Sequence, residues 1–437
     1  MSHTVLVGTA EYRSQEYPII LPSQDRLRHM YSLGKTGTGK STLYQNMMLQ
    51  DIYAGAGCCF VDPHGEAIDW LLQNIPDNRL EDVILFDPSE TEWPMGMNLL
   101  EYHSDSEKDF LVSEAIHIFY KLFDPQQSGV IGPQFEHWMR NAALTIMADP
   151  HGGTLIEIPR LFTDPEFERY KRKYVTDPIV RTFWEQQMEK TSAFHRSEML
   201  NYFTSKFGRF MTNSLMRNII GQKQSSFSLS DAINNQKILL INLSKGKIGE
   251  LNAAMLGLII MTKLQMAVMK RASLPKEERK PFYLFVDEFH NVMTDAFISM
   301  LSEARKYGLA VHLTNQYVAQ LTDEIREAVL GNVATLVAFQ IGAQDAEVLL
   351  SEFESNSKSK SRSLTTDDFQ FLEPHHFFIR LTVDGVPQYP VIARGILPRR
   401  IQTTVSAEDT KILSRLRYSR PRTLVEQDQS ERLHVVY

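Results

Sequence analysis

The stretch "SLGKTGTGKSTL" at residues 32–43 decides the fold. Gly34, Gly37 and Gly39 let the backbone curl so that successive N–H groups can point inward at a phosphate, and Lys40 can reach the terminal phosphates. A helix that begins here adds the partial positive charge of its N-terminus. A flexible surface turn is the alternative, but the G-x-x-x-x-G-K-[ST] pattern rarely arises by chance. The stretch therefore predicts a P-loop that binds a nucleoside triphosphate.

Nine consecutive residues of this loop are expected to contact the nucleotide. They are Gly34, Lys35, Thr36, Gly37, Thr38, Gly39, Lys40, Ser41 and Thr42. The hydroxyl of Ser41 can also ligate Mg²⁺, which accompanies the phosphates. The expected cofactors are therefore a nucleoside triphosphate and Mg²⁺.

Short apolar runs bounded by Gly, Pro or Asp recur along the chain and alternate with helical patterns. The runs cover residues 29–33, 57–61, 82–86, 237–243, 282–286, 309–313 and 335–341. Continuous apolar strands that alternate with helices predict an α/β fold with a parallel sheet covered on both faces. A further pair of alternating segments within 377–395 turns at Asp384-Gly385, which predicts an antiparallel hairpin at the edge of this sheet.

Strand signals nearly vanish between residues 101 and 228, where helical patterns dominate. We therefore expect a first part of the nucleotide-binding domain at 1–100, an inserted all-helical domain at 101–228 and a second part at 229–396. A basic C-terminal tail is expected at 397–437. A serine-rich stretch at 351–363 is expected to be a connector.

The composition is that of a soluble globular protein, with 437 residues of which 43% are hydrophobic and 23% charged. The formal net charge of −7 excludes a global basic field, so any binding to nucleic acid must use local patches. Cys58 and Cys59 are neighbours and form no disulfide framework, which fits a reducing cytosol. The first residues lack the basic start and apolar run of a signal peptide. We therefore expect a cytoplasmic location, with peripheral association with the inner membrane left open.

The most apolar stretch lies at 251–270 and is interrupted by Lys263 and Gln265. A bilayer span needs about 20 largely apolar residues. The stretch is interpreted as a buried core helix, with a membrane span as the alternative.

A second chemical motif is "FYLFVDEFHNV" at 282–292, where two carboxylates follow an apolar strand. Asp287 is placed to hold Mg²⁺, and Glu288 is placed to orient or deprotonate a water that attacks the γ-phosphate. The adjacent glutamate favours hydrolysis over phosphoryl transfer to a small molecule. An acidic helix cap is the alternative interpretation, which the upstream P-loop disfavours.

The next segment, 294–316, predicts a helix, a Gly308 cap and a strand that ends at Gln316. This strand should lie between the P-loop strand and the Asp287 strand, where a polar side chain can sense the γ-phosphate. Arg305 lies at the exposed end of the helix and can complete a neighbouring subunit's site as an arginine finger. A solvated surface charge remains the alternative for Arg305.

Asp62, in "FVDPHGEA" at 60–67, ends the strand that follows the P-loop helix. It is expected close to the Mg²⁺ end of the site. A strand-to-helix turn based on Pro63 and Gly65 explains the same residues equally well, and both interpretations stay open.

These motifs together resemble the HerA–FtsK superfamily of ring-forming DNA-pumping ATPases. The resemblance covers roughly residues 18–396, and within the superfamily the chain is most similar to the motor region of TraD/TraG-type conjugative coupling proteins. It implies a RecA-like fold, ATP as the nucleotide and a hexameric ring around DNA. By this resemblance Gln316 couples hydrolysis to motion, and Arg305 acts on the neighbouring subunit. The residues that carry hydrolysis are Lys40, Ser41, Asp287 and Glu288. A relaxase, a nuclease or a secretion-channel protein is the kind of partner that it suggests.

Two departures from the superfamily concern the start of the chain. Coupling proteins usually begin with transmembrane helices, which puts membrane anchoring of this chain in doubt. HerA proteins usually carry a small β-barrel before the P-loop, and some 30 residues cannot hold one.

Two basic regions are candidates for the DNA contact. The first is the loop "SKGKIG" at 244–249 with Lys245 and Lys247, and the second is the tail between Arg399 and Arg422. The loop is favoured because a grip that moves DNA should lie next to elements that sense the nucleotide. A turn with two solvated lysines is the alternative.

The sequence thus predicts an ATP-driven DNA translocase that works as an oligomer. One rival keeps the motor but moves protein, as a secretion ATPase. The other is a nucleotide-gated DNA-binding adaptor that does not pump, which the presence of Glu288 disfavours.

Overall fold

A computed structural model describes residues 3–191, 193–354, 364–399 and 403–434. The chain divides into two compact units. The sheet unit comprises 1–86, 229–244 and 267–414, and the helical unit comprises 87–228, 245–266 and 415–437. Most of the expected serine-rich connector, residues 355–363, lies outside the described residues.

The sheet unit is organised around one sheet of 11 strands in the order β2-β1-β13-β10-β9-β3-β8-β7-β4-β6-β5. Its strands are β1 (Thr4–Tyr12), β2 (Gln15–Pro22), β3 (Met30–Leu33), β4 (Gly57–Asp62), β5 (Val83–Phe86), β6 (Ile238–Asn242), β7 (Phe282–Val286), β8 (Leu309–Asn315), β9 (Thr335–Ala338), β10 (His376–Arg380) and β13 (Val391–Gly395). A separate pair consists of β11 (Thr382–Val383) and β12 (Val386–Pro387).

In the strand order given above, the seven strands from β9 to β5 are parallel to one another. Each of these strands corresponds to one of the apolar runs, and every residue of the seven strands is buried. Burial on both faces explains why these strands lack an alternating polar pattern. The predicted α/β fold with a parallel central sheet is confirmed.

The antiparallel part of the sheet corrects one prediction. β10 and β13 pair antiparallel, and Asp384 and Gly385 take positive φ at the turn between β11 and β12, as expected. β10 and β13 do not form the edge of the sheet, because the two N-terminal strands lie outside them. β13 pairs with β1, and β1 pairs with β2. The N-terminal hairpin is exposed over much of β2, so its hydrophobic pattern is weak and gave no strand signal.

Helices surround the sheet. Those of the sheet unit are α1 (Ser23–Arg26), α2 (Lys40–Tyr53), α3 (Glu66–Leu72), α11 (Leu229–Asn234), α14 (Asp295–Ala304), α15 (Asp323–Asn332), α16 (Ala343–Glu354), α17 (Thr366–Gln370) and most of α18 (Ala407–Tyr418). Met47 of α2 and Ile68 of α3 are fully buried in a core with Phe60 and Phe285 of the sheet.

The helical unit contains no strand among its described residues. Its helices are α4 (Asp105–Phe123), α5 (Pro133–Ala148), α6 (Arg160–Thr163), α7 (Pro165–Arg172), α8 (Pro178–Thr182), α9 (Ala193–Thr212), α10 (Ser214–Ile220), α12 (Lys245–Ile248), most of α13 (Glu250–Lys270) and α19 (Arg422–His434), with a π-helical turn at Phe183–Met188. Aromatic rings hold α4, α5 and α9 together, with Phe119 4.7 Å from Phe207 and Phe135 5.0 Å from Phe203 between ring centroids.

The C-terminal segment differs from the expected tail. Residues 415–437 group with the helical unit, where the side chain of Asn218 donates to Glu426 at 3.0 Å and Arg432 pairs with Glu157 at 2.8 Å. The end of α18 and α19, which form this segment, carry few apolar residues. Their folding therefore depends on polar contacts that the sequence pattern does not reveal.

The apolar stretch at 251–270 forms α13. Among the described residues, the helical segment Glu250–Ser273 is the one that is long and apolar enough to cross a membrane, and 83% of its most apolar window is buried inside the protein. Nζ of Lys263 donates to the carbonyl of Asn98 at 2.8 Å, which satisfies the charge that interrupts the stretch. The interpretation as a core helix fits this burial.

Candidate nucleotide site

The predicted P-loop joins β3 to α2 at the carboxyl edge of the sheet. Gly37 and Gly39 have φ of 79° and 120°, conformations that L-residues with a side chain rarely adopt. A Cβ on Gly34 would lie 2.6 Å from Cβ of Phe339, so the loop could not approach β9 with any other residue there. The glycines of the motif are thus required by the backbone path.

The Lys40 side chain folds over this loop. Its Nζ donates to the carbonyl of Gly34 and, at 3.2 Å, to that of Lys35. Burial lowers the pKa of Lys40, and the charges of Asp287 and Glu288 act in the opposite direction. The ammonium therefore lies inside the turn, on the side of the two carboxylates.

The first turn of α2 is open to a ligand. No side chain caps it at Gly39, so its first N–H groups keep their hydrogen-bonding capacity toward the loop. Lys35, Thr36, Gly37 and Ser41 are exposed. This arrangement matches the anion sites that helix N-termini provide.

Asp287 follows β7 and lies two strands from the P-loop. β8 lies between β3 and β7, as predicted, and its Thr314 hydroxyl donates to Oδ1 of Asp287. The backbone N–H of Glu288 donates to the same oxygen at 3.0 Å. These bonds fix the Asp287 carboxylate at the edge of the sheet that carries the loop.

Glu288 has an unusual backbone and environment. Its φ of 47° is in the left-handed region, which costs about 1–3 kcal/mol for a non-glycine residue and is typical of functional sites. Its side chain is 6% exposed and accepts from Nε2 of Gln320 at 3.2 Å. Burial and the neighbouring charge of Asp287 raise the pKa of Glu288, while hydrogen bonds from Gln316 and Gln320 lower it.

Asp62 ends β4, next to β7 in the sheet. Its Oδ1 accepts from the N–H of His64 at 2.8 Å, while its Oδ2 is buried without a hydrogen-bond partner. Burial raises the pKa of Asp62, and the charge of Asp287 adds to this effect. The two interpretations of Asp62 are therefore compatible, because Oδ1 stabilises the turn and Oδ2 is left for a role near Mg²⁺.

Arg305 lies at the opposite edge of the sheet. It is exposed in a 3₁₀ turn before β8, and its charge contributes to lowering the pKa of the buried His29, which precedes β3. The seven residues of β8 separate this turn from Gln316 by roughly 20 Å at about 3.3 Å per residue. Arg305 therefore cannot reach the P-loop of its own chain.

Two residues of the site were missed by sequence reasoning. Thr314 holds Asp287, and Gln320 contacts Glu288 and, through Oε1, accepts from the N–H of Gln316 at 3.0 Å. Both are ordinary polar residues near the end of β8, and only the order of the strands could have indicated their position.

The two basic regions differ in their contacts. Lys245 lies in the short helix α12 after β6, and the neighbouring Lys247 is exposed. In the C-terminal segment five cations contact acids, in the pairs Arg415–Glu90, Arg420–Asp428, Arg422–Glu426, Arg432–Glu157 and Lys411–Asp69. Within the described residues no ion pair involves Lys245 or Lys247.

Comparison with known proteins finds a matching family and solved structures with a similar fold. The family described as the type IV secretion-system coupling protein DNA-binding domain matches residues 172–387. No curated protein matches the chain. The predicted resemblance to conjugative coupling proteins is confirmed over these residues.

Solved structures of coupling proteins share the fold. The unbound bacterial conjugative coupling protein TrwBΔN70 aligns with a TM-score of 0.60 at 17% identity, over 92% of this chain and 91% of that one. The plasmid coupling protein TrwB in complex with ADP and Mg²⁺ aligns with a TM-score of 0.61 at 16% identity, over 89% of both chains. VirB4 of Thermoanaerobacter pseudethanolicus aligns with a TM-score of 0.58 at 13% identity, over 90% of this chain and 96% of that one.

Proposed function

We propose that this chain is an ATPase that uses hydrolysis to move DNA through an oligomeric ring. The observation that carries the proposal is the convergence of Lys40, Asp287, Glu288 and Gln316 at one edge of the sheet, around a P-loop of the required backbone geometry. Similarity to TrwB, which has been solved with ADP and Mg²⁺, supports ATP and Mg²⁺ as the cofactors.

The phosphates are bound by the loop and the start of α2. Backbone N–H groups of residues 34–42 surround them, and Lys40 supplies the charge. The oxygens at hand fit Mg²⁺, a hard cation that prefers such ligands: the exposed Ser41 hydroxyl, the Asp287 carboxylate and the unpartnered Oδ2 of Asp62. When bound, Mg²⁺ neutralises charge on the β- and γ-phosphates.

Glu288 acts as the general base. The pKa of Glu288 is raised toward neutral pH, which suits a group that must accept a proton from water. Gln316 and Gln320 hydrogen-bond the carboxylate and thereby orient it. Because Gln316 ends the strand that leads back to Arg305, it is placed to couple hydrolysis to motion.

DNA is gripped by Lys245 and Lys247. Their freedom from ion pairs within the described residues favours them over the C-terminal cations, which contact acids. In a hexamer the loop would be present in six copies around a channel, and Arg305 would complete the site of the next subunit. Binding to a relaxase, a nuclease or a secretion-channel protein would deliver the DNA.

A second candidate is a secretion ATPase that moves protein. TrwB and VirB4 match this chain with nearly the same TM-score, and a shared fold does not show which polymer a P-loop motor moves. A DNA-binding adaptor without turnover is disfavoured because Glu288 and its two glutamine partners are in place.

Steady-state ATPase assays with and without DNA test the proposal. We expect DNA to stimulate hydrolysis, and the double variant Lys245→Glu/Lys247→Glu to lose the stimulation while keeping basal turnover. Its salt dependence of DNA binding should become shallower, since fewer phosphates are neutralised.

Lys276→Glu/Lys280→Glu is the matched control, because both lysines are exposed and the charge change is the same. A protein that hydrolyses ATP at the same rate with and without DNA would favour the protein-moving motor. Loss of stimulation in the control variant as well would make the effect one of net charge.

A further inference from the structure

The helical unit contains a polar cavity of about 1010 Å³. Parts of four segments line it, 98–103, 147–153, 222–226 and 417–432, and all of them belong to this unit. The volume is at the upper end of the range of small-molecule sites. None of the roles assigned above to the nucleotide site or to the DNA contact uses this cavity.

Hydrogen bonds between the lining segments fix the wall of the cavity. Asn98 is buried, and its side-chain amide donates to the carbonyl of Gly153 at 3.0 Å and to that of Lys223 at 2.8 Å. On α19, the buried side chain of Gln429 donates to the carbonyl of Arg217 at 2.9 Å. The cavity therefore has walls of defined position, formed by parts of the chain that are distant in sequence.

Lys223 brings an unneutralised charge to this wall. Its side chain is partly buried, and within the described residues its ammonium makes no ion pair and no hydrogen bond. Burial lowers the pKa of Lys223, and the positive charges of Arg432 and Lys171 add to this effect. The charged form of the side chain is thus held where both its surroundings and its neighbours disfavour it.

The acids that attract Lys223 are already engaged with other cations. Glu157 pairs with Arg432 at 2.8 Å, and Asp149 pairs with Lys171 at 2.6 Å. These three cations and two acids leave one net positive charge. Because a partly buried charge without a counter-ion is unfavourable, this cluster is suited to accept one more anion.

The remaining acids of the lining do not supply that anion. Glu101 contacts Lys263 at 3.3 Å, and Asp428 contacts Arg420 at 2.7 Å. Glu431 is exposed to water on α19. The counter-ion for Lys223 must therefore come from outside the chain.

We propose that this cavity binds a small phosphorylated molecule of the sugar-phosphate class, whose phosphate accepts from the ammonium of Lys223. Lysine binds phosphate as a point charge. Arg417 lines the same cavity, and a phosphate dianion can use two cations, whereas a carboxylate needs only one. The hydroxyls of Ser225 and Ser226 and the amide of Gln224 also line the cavity and can bond to the hydroxyls of a sugar.

Calorimetric titration of the full chain with ribose 5-phosphate, and with ribose as its uncharged counterpart, tests the proposal. The wild type should bind ribose 5-phosphate and not ribose. Lys223→Met should weaken the affinity for ribose 5-phosphate about tenfold or more, because it removes a hydrogen bond to a charged group. Its unfolding temperature should be no lower than that of the wild type, since the substitution removes a partly buried charge.

Lys173→Met is the matched control, since Lys173 is exposed in the same unit and lies outside the cavity lining. It should bind ribose 5-phosphate as the wild type does. Unchanged affinity in Lys223→Met, or no binding to the wild type, would overturn the proposal.

Lys40→Ala distinguishes the cavity from the P-loop as the place where the probe binds. Affinity for ribose 5-phosphate that persists in Lys40→Ala and is lost in Lys223→Met supports the proposal. The reverse result would place the probe in the P-loop and overturn it. Displacement of ribose 5-phosphate by a single-stranded oligonucleotide would instead assign Lys223 to a nucleic-acid backbone, which also contradicts a small-molecule site.

Discussion

The two edges of the parallel sheet bury charged groups in opposite ways. At the amino edge Arg26 donates to both oxygens of Asp51 at 2.6 and 2.7 Å and lies 3.7 Å from the ring centroid of Tyr283. At the carboxyl edge Asp62 has one oxygen without a partner, and burial raises the pKa of Glu288. A buried charge with a matched partner is neutralised within the fold, and only the loss of one partner is costly. A buried charge with unused hydrogen-bonding capacity is typical of functional sites.

Arg305 is the exception at the amino edge, because it is exposed there. If it serves the carboxyl edge of a neighbouring subunit, Arg305→Ala should lower turnover by about 10³–10⁵ while nucleotide affinity stays the same. Single-turnover and steady-state ATPase rates measure the effect. Lys306→Ala is the control, since Lys306 is the exposed neighbour and contacts Glu303 at 3.3 Å. Full activity of Arg305→Ala would return this residue to the role of a solvated charge.

At the carboxyl edge, Glu288→Gln should lower turnover by about 10²–10⁴, because the amide cannot accept a proton. Binding of ATP should persist, since Lys40 and the loop are intact. The rate constant of hydrolysis and the affinity for ATP are measured on the same preparation. Wild-type turnover in this variant would place the catalytic carboxylate elsewhere.

The free energy of unfolding tests the role of the charged pair at the amino edge of the sheet. Arg26→Met leaves Asp51 buried with only His3, at 2.7 Å, as a partner, and should lower the free energy of unfolding by about 3–5 kcal/mol. The double variant Arg26→Met/Asp51→Leu should recover much of this loss, since neither charge remains. Urea unfolding gives the stabilities, and turnover per folded molecule should stay near wild type. A variant that is stable but inactive would show that this edge also takes part in chemistry.

The smallest expected effect is a pH dependence. Because the pKa of Glu288 is raised, the carboxylate becomes protonated at a higher pH than an ordinary glutamate, and kcat/KM should decline on that acidic side. His29 at the amino edge does not contribute near neutrality, because burial lowers its pKa to about 4. The residual activity of Glu288→Gln should lack the decline. The same profile in both proteins would assign the titration to another group.

Sequence patterns were informative where burial is complete. The strands of the parallel sheet and the loop between β3 and α2 were predicted because apolar runs and glycines report directly on a covered sheet and a tight turn. The position of β8 between β3 and β7 was also predicted.

Other features depend on contacts between distant parts of the chain. The β1–β2 hairpin is half exposed, and the helices of the C-terminal segment are held by polar pairs such as Arg432–Glu157, so neither shows a hydrophobic pattern. Gln320 was missed because its role comes only from its 3.2 Å contact with Glu288. The assignments of the site residues stay predictions until they are tested in solution.

Mixing two inactive variants tests whether the amino edge of one subunit completes the carboxyl edge of the next. In a mixture of Lys40→Ala and Arg305→Ala, a subunit with an intact Lys40 can lie next to one with an intact Arg305. We expect ATPase activity to appear on mixing, to be highest at intermediate ratios and to be absent from each variant alone. A mixture that stays inactive at every ratio, although mass measurements show mixed oligomers, would contradict it.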